Sequence, residues 1–367
     1  MAITLLVFFI IIALLNILFY IGYFSFAAAK PQSPQGKKVP VSVIVCAKNE
    51  AENLKRFIPK ILEQNYPNFE LILINDASTD GSLEIMEEFQ QNDIRVKIVN
   101  VQNNEAFWGK KKYALTLGIK KARNPYLLFT DADCTPESNL WIENMSAHFQ
   151  QNKSIILGYG GYIKQKMSLL NKLIRYETLF TAIQYFSYAR LGFPYMGVGR
   201  NLAYTSHEFY AQNGFATHLH VRSGDDDLFV NQAATKENTA LCYEGSSFTR
   251  SIPDSNFKNW VEQKRRHVST SVLYKTEHKL LLGTFYISQF LFWVLFLILL
   301  ISQTFWITVL IIFAIRLLIQ YTVFYQSAKK LDELDLVWLV PVFDFFLVFL
   351  QFGIFSANLI SKPSNWK

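Results

Sequence analysis

Two patterns of apolar and polar positions divide the chain. Residues 3 to about 29 carry no charge and are long enough to cross a bilayer. Three more apolar stretches, roughly 280–302, 304–325 and 336–360, lie at the other end. In between, short apolar runs alternate with amphipathic stretches. Residues 41–45, 69–74, 96–101 and 126–130 are rich in β-branched and aromatic residues and predict buried strands. Residues near 51–64, those after Gly81, and 109–121 predict helices. Strands alternating with helices predict an α/β fold, a mostly parallel sheet with crossover helices, with transmembrane α-helices added at both ends.

The domain order follows from these breaks. A transmembrane helix (1–29) leads into a Pro/Gln/Lys linker (30–40), then an α/β domain (41–255), an amphipathic interface segment (256–279) and three transmembrane helices (280–360). The first apolar segment lacks a basic leader and is too long for a signal peptide, so an anchor is expected. Lys30, Lys37 and Lys38 follow it, and Lys329 and Lys330 follow the third span, which places both groups inside. The expected protein is therefore integral to the inner or plasma membrane, with both termini outside and the middle domain cytoplasmic. Arg316 and Asp344 fall inside the spans, about 13 Å deep at the helical rise. Charges at that depth pair or face a cavity, and the two are expected to pair with each other. Residues 168–193 carry many aromatics and few charges, and predict an amphipathic helix pair at the membrane surface or a buried helix.

Composition changes the picture in two places. The chain has 367 residues, 51% of them hydrophobic, with 32 Phe and 18 Tyr, an excess concentrated at the two ends. Its net charge of +7 fits membrane flanks and phosphate handling. No basic run is interleaved with aromatics, so no nucleic acid partner is expected. Cys46, Cys134 and Cys242 form no CxxC pair or metal spacing, which fits a reducing compartment.

Candidate chemistry starts at Tyr126-Leu-Leu-Phe-Thr-Asp131-Ala-Asp133, a strand that ends in two carboxylates. Ligands of open α/β sheets sit at the carboxyl ends of strands. Two carboxylates there need a cation, and a divalent metal carrying a diphosphate suits hard oxygen ligands. A strand-end turn capped by Asp is the plain structural alternative. Asn49 with Glu50, and Asp76, line up on the same edge. No GxGxxG or GxxxxGK[ST] motif follows any strand, which argues against a Rossmann dehydrogenase or a P-loop enzyme.

The order of motifs resembles membrane-integrated family 2 glycosyltransferases with the GT-A fold. Five features carry it: Val43-Ile-Val-Cys-Ala-Lys-Asn-Glu50, Asn75-Asp-Ala-Ser-Thr-Asp-Gly81, Gly109-Lys-Lys-Lys-Tyr-Ala-Leu115, Asp131-Ala-Asp133 and Gly224-Asp-Asp-Asp-Leu228. A sixth, Gln263-Lys-Arg-Arg-His267, is similar to the Gln-x-x-Arg-Trp element of cellulose, chitin and hyaluronan synthase-like enzymes, with His267 in place of Trp. The resemblance implies that Asp76 reads the nucleobase edge and that Glu50 lies beside it. Asp131 then faces the ribose or metal, and Asp133 binds Mg2+ or Mn2+. It places the catalytic base at Asp226, with Asp225 tuning it or touching the acceptor. Asp80 reads instead as a turn and helix cap. Lys111 either approaches the nucleotide diphosphate or belongs to a solvated lysine face. Arg266, near Gln263, can hold the diphosphate with Arg265 turned outward, or the basic cluster anchors the helix. Gly197-Val-Gly-Arg-Asn201 resembles the family's acceptor-side strand. His218 and His220 lack a third ligand and read as loop histidines.

The implied activity is inverting, metal-dependent transfer from a nucleotide sugar, UDP-linked by expectation, to a membrane-associated hydroxyl on a glycolipid, lipid-linked sugar or glycan. The alternatives are a processive polysaccharide synthase, a polyprenyl-phosphate glycosyltransferase, and a non-catalytic membrane scaffold that keeps the fold. The acidic triad and Gln-x-x-Arg element argue against a phosphate acceptor, which needs no strong base. Four spans and His267 argue against a long translocation channel.

Overall fold

The computed structural model describes residues 2–31, 38–102, 110–150, 152–221 and 223–361. Lys37, most of the 30–40 linker and Gly109 of the lysine motif lie outside these. In chain order the elements are α1 (Ala2–Ala27), β1 (Val41–Ala47), α2 (Ala51–Leu62), β2 (Phe69–Asp76), α3 (Ser82–Asn92), β3 (Val96–Val101) and α4 (Lys110–Lys121). There follow β4 (Tyr126–Asp131), β5 (Cys134–Pro136), α5 (Trp141–Ser146), β6 (Ile155–Leu157), β7 (Gly160–Tyr162), α6 (Leu169–Arg190), β8 (Leu202–Thr205) and α7 (Ser206–Ala211). The chain continues through α8 (Asp227–Ala233), β9 (Thr239–Leu241), β10 (Thr249–Ser251), α9 (Phe257–Thr270), α10 (Thr276–Ile301), α11 (Trp306–Lys330) and α12 (Val340–Ile360). They form two compact units, a sheet unit and a helical unit.

The sheet unit is built on the order β3-β2-β1-β4-β8-β6-β9. The first four strands are parallel, as the alternation of strands and helices predicts. β8 runs antiparallel to both β4 and β6. Every residue of β2 and nearly all of β1 are buried, because a parallel sheet is covered on both faces. Alternate residues divide between the faces. Val43, Val45, Leu71 and Leu73 share a core with Leu54, Ile58 and Ile61 of α2. Ile44 and Ile74 face Gly118 of α4, where a Cβ would meet Ile74 Cδ1 at 2.2 Å. A small sheet, β5-β10-β7, was not visible in the sequence pattern. Its strands are three residues each, too short to show a period.

Asp80 is a double cap, as the turn reading expects. Its Oδ2 accepts from the Ala51 amide (3.1 Å) and its Oδ1 from the Ser82 amide (3.1 Å), so one carboxylate serves the first turns of α2 and α3. Burial alone would raise its pKa, but the Ser82 and Ala51 donors outweigh that and hold it below the usual range. A lowered carboxyl pKa gives stability that is present above the unfolded value and lost as pH falls through the folded one. Asp80→Ala should therefore cost about 1 kcal/mol at neutral pH. In thermal melts the difference from wild type should shrink below about pH 4.

The helical unit contains α1, α6 and α9 to α12. Among the described residues, four helical segments are long and apolar enough to cross a membrane: Ala2–Ala27, Thr276–Ile301, Trp306–Lys330 and Leu334–Ile360. The last begins as a 3-10 turn, Leu334–Leu339. Residues 168–193 correct the expected helix pair. They form one helix, α6, capped by Ser168, and it packs in the helical unit rather than in the sheet domain assigned to 41–255. Arg175 of α6 is buried and pairs with Glu333 and, at 2.6 Å, with Asp335. Residues 256–279 likewise fall in the helical unit, as α9 and the start of α10.

Arg316 and Asp344 do pair, at 3.0 Å, and both are buried. The pair is the centre of a network across four helices. Arg316 also donates to Asn16 Oδ1 of α1 (3.0 Å) and Gln320 Oε1 (2.8 Å). Asp344 also accepts from Trp293 Nε1 of α10 (2.9 Å) and Gln320 Nε2 (2.9 Å). Charges that far from water persist only when paired and hydrogen-bonded throughout.

Candidate active site

Strand order places the site. From β1 the chain steps to β2 and β3 on one side, and β4 is added on the other. This is a topological switch point, where a crevice opens beyond the carboxyl ends of the strands. Cys46 near the end of β1 lies in register with Asp131 at the end of β4. Asp76 ends β2, buried beside Val101. Glu50 sits at the start of α2, just beyond β1. Its amide donates to Ser82 Oγ (2.9 Å) and its carboxylate accepts from Asn53 (2.6 Å).

A cavity at this edge is lined by Cys46, Lys111, Asp131, Tyr204, Asp225 and Asp226, among others. The structure thus brings the Asp-x-Asp strand end and the acidic triad to one place, although they are nearly a hundred residues apart in the chain. Lys111 is the link. Its Nζ lies 3.0 Å from Asp131 Oδ1 and 3.0 Å from Asp225 Oδ2. Burial opposes its charge, but Asp131 and Asp225 outweigh that and hold its pKa well above the usual value. Lys111 is therefore not part of a solvated face. Here it faces two carboxylates.

Asp226 is held by backbone. Its Oδ2 accepts from the Gly199 amide (2.7 Å) and its Oδ1 from the Asp227 amide (2.8 Å), where it caps α8. Burial raises its pKa to about 7, with Asp225 and Asp227 adding to the effect. Asp225 moves the other way: burial would raise it, but Lys111 outweighs burial and keeps it low. The two adjacent carboxyls thus shift in opposite directions, because Lys111 Nζ lies 3.0 Å from Asp225. Gly224, just before the triad, has φ +94°, and a Cβ there would meet Leu228 Cδ1 at 2.4 Å. Only glycine turns the chain here without strain.

Asp131, Asp133 and Cys134 offer donor atoms that lie within 4.8 Å of one another. Burial and the Asp131 charge raise the Asp133 carboxyl pKa, while Ser251 Oγ donates to Asp133 Oδ2 at 2.8 Å. Hard carboxylate oxygens set this close together suit a divalent cation.

Sequence reasoning missed three supports. Lys112, 1% exposed, donates to the carbonyls of His218 (2.8 Å), Val221 (2.9 Å) and Ser223 (2.7 Å). It clamps the loop that delivers the triad, and burial lowers its pKa to about 8. Arg200 stacks over Tyr162, 4.3 Å from its centroid. Burial works against its charge, but Tyr162, Cys134 and then Asp133 and Asp131 outweigh that and hold it charged. Asn201 accepts from Trp141 Nε1 (3.0 Å) and donates to the Tyr159 and Ser247 carbonyls. The Gly197–Asn201 run flagged these last two positions without giving them a role, and nothing in a lysine triplet marks which member is buried. His218 is a buried loop residue, its pKa lowered by burial to about 4. Lys112→Met should reduce turnover at least tenfold while leaving metal-dependent nucleotide binding unchanged. Titration calorimetry beside a turnover assay separates the two.

Gln263 and Arg266 are not on this sheet. They lie on α9 of the helical unit, where burial lowers the Arg266 pKa. Arg265 corrects the outward expectation. It donates to Asn358 Oδ1 (2.9 Å) and to the Ser361 carbonyl (2.6 Å). Lys264 pairs with Glu177 of α6 at 2.5 Å.

Residues 42–202 match the family described as Glycosyl transferase family 2. That segment makes up less than half of the chain and holds most of a GT-A-like, mostly parallel sheet. An uncharacterized glycosyltransferase of Haemophilus influenzae is 35% identical over 124 residues, 34% of this chain and 36% of that one. A poly-beta-1,6-N-acetyl-D-glucosamine synthase of Staphylococcus epidermidis is 31% identical over 147 residues, 39% of this chain and 34% of that one. The chain thus spans about a third of the length of these curated relatives. A mannosyltransferase from Pyrobaculum calidifontis, solved in complex with GDP-Man and Mn2+, has a similar fold over 94% of this chain and 98% of that one, with a TM-score of 0.59 at 16% identity.

Proposed function

We propose that the protein is a membrane-integrated, inverting glycosyltransferase. It takes a sugar from a nucleotide-sugar donor, on the cytoplasmic side of the inner or plasma membrane, to a hydroxyl of a membrane-associated lipid or glycan. The observation that carries the reading is one cavity whose lining includes both Asp131 and Asp226. Asp131, which with Asp133 offers oxygens suited to a metal, lines it together with a carboxyl whose pKa is raised to about 7.

Asp133 and Asp131 would hold Mg2+ or Mn2+, which when bound supplies positive charge to the leaving diphosphate. Asp76 and Glu50 bind the nucleoside. Asp226 takes the proton of the acceptor hydroxyl as that oxygen bonds to the anomeric carbon. The bond from that carbon to the diphosphate oxygen breaks, and the nucleoside diphosphate leaves with the electron pair. A base with a pKa near the working pH suits this step. Burial, with Asp225 and Asp227 adding to it, raises Asp226 into that range. Arg266, near Gln263, is the proposed cationic partner of the diphosphate, since a guanidinium forks onto two oxygens. The Pyrobaculum mannosyltransferase, solved with GDP-Man and Mn2+, supports the metal reading and widens the donor beyond UDP.

Metal removal tests this reading. Chelation should abolish nucleoside diphosphate release by the wild type, and Mn2+ or Mg2+ should restore it. Asp133→Ala should be inactive at any metal concentration that saturates the wild type. Release that survives exhaustive chelation would overturn the metal assignment.

A further inference from the structure

α12 is apolar and long enough to span a bilayer, but its neighbours run the wrong way for a crossing. α10 and α11 are joined by a short turn and form an antiparallel hairpin, so a third crossing helix would run parallel to α10. Successive side chains of α12 instead meet α10 in descending order. Phe345 packs on Trp293 (5.1 Å between centroids), Phe352 on Phe290 (5.0 Å) and Phe355 on Tyr286 (5.2 Å). The Tyr286 hydroxyl donates to the Val348 carbonyl. α12 thus heads back toward the end at which α10 begins.

Both of its ends can be placed. Its second turn reaches the depth of Arg316 through Asp344, after the 3-10 turn passes beside Tyr321, whose hydroxyl donates to the Trp338 carbonyl. Arg316 is fourteen residues from the end of α11, about 21 Å along the axis. The far end of α12 is held by α9. Arg265 Nε donates to Asn358 Oδ1, Asn358 Nδ2 donates back to the Arg265 carbonyl (3.0 Å), and Arg265 reaches the Ser361 carbonyl. α9 carries Lys258, Glu262, Lys264, Arg265, Arg266 and His267, so it lies in water or the headgroup layer, not in hydrocarbon. A connection of five residues joins it to α10. The start at depth and the end beside a polar surface helix belong to the same side of the bilayer.

We infer that the segment from Leu334 to Ile360 is re-entrant: it descends to the Arg316 level and returns to the side from which it entered, so among the described residues the chain crosses the membrane three times, not four. The Arg316–Asp344 network is the floor of this re-entry. Irregular backbone at such a depth is tolerated only where it packs in protein; Leu336 of the turn is fully buried, and Arg175 of α6 pairs with Glu333 and Asp335 beside it. The orientation with both termini outside is thereby replaced by one in which they lie on opposite sides.

The full-length protein in membranes tests this without any activity assay. A single-cysteine tag fused after Lys367 is probed with a membrane-impermeant maleimide in intact cells and in inverted vesicles. Val272→Cys, exposed in the connection between α9 and α10, and Ser302→Cys, in the turn between α10 and α11, mark the two sides. The tag should label with Val272→Cys and oppositely to Ser302→Cys. Labelling together with Ser302→Cys would show that α12 spans and would overturn the inference. An Arg265→Ala variant tagged in the same way should keep its sidedness, because the direction of α12 is set by its whole face on α10.

Discussion

Asp226→Asn should lower turnover by about three orders of magnitude, within the range for loss of a general base, while donor affinity stays within about twofold. The amide keeps the shape, but its single oxygen can accept from only one of the Gly199 and Asp227 amides, which donate to different oxygens of Asp226, and it cannot take a proton. The wild-type rate should fall with acid around pH 7, because Asp226 must be ionised to act and its pKa stands at about 7. The residual rate of the variant should lack that limb. Stability moves the opposite way. Asp226 has a folded pKa above its ordinary 3.8, so the fold favours its neutral form and is opposed by its ionisation as pH rises toward 7. Asp226→Asn should therefore melt higher than wild type at pH 8, and the gain should vanish below about pH 4. A variant that is as active as wild type, or one that is both inactive and less stable at pH 8, would remove Asp226 from the role of base.

Arg316→Met should destabilise the helical unit by about 3–5 kcal/mol, the cost of leaving a buried carboxylate without its cation. Asp344 would keep Trp293 and Gln320 as donors but lose its only ionic partner among the described residues. Asn16 would also lose its guanidinium donor. Combining Arg316→Met with Asp344→Leu should recover part of the loss, since no charge remains buried, but not all of it, since the Gln and Trp donors stay unmet. Thermal melts in detergent of both single variants and the double variant measure the coupling. Single variants as stable as wild type would mean that the network does not hold the helices together.

Much of this was legible in the chain. β1, β2 and β4 announce themselves because they are buried on both faces, which makes a nearly continuous apolar run bounded by turn residues, and β3 by its β-branched content. β3, residues 96–101, and the strand that ends at Asp131 fall where the pattern puts them. The carboxylates could be assigned to one edge because parallel strands place their carboxyl ends together. The sequence pattern could not reach contacts made across long separations. Lys111 and Lys112 read alike in the chain, yet one meets side-chain carboxylates and the other three carbonyls. Arg265 read as an outward anchor because its partners, Asn358 and Ser361, lie 93 and 96 positions away. α12 passes every test of length and hydropathy for a span, and those properties are blind to direction. α6 looked like a surface pair because its aromatic face implies one partner, whereas it is covered by several helices.

The most direct test of the central claim is nucleoside diphosphate release by the purified full-length protein. The assay uses Mn2+ or Mg2+, a panel of UDP- and GDP-sugars, and membrane lipids present or absent. The account predicts release from a restricted set of donors that needs the metal, is stimulated by lipid and is lost in Asp226→Asn. No metal-dependent nucleotide binding by any donor, in protein that is folded by its melting curve, would contradict it and favour a scaffold that has kept the fold.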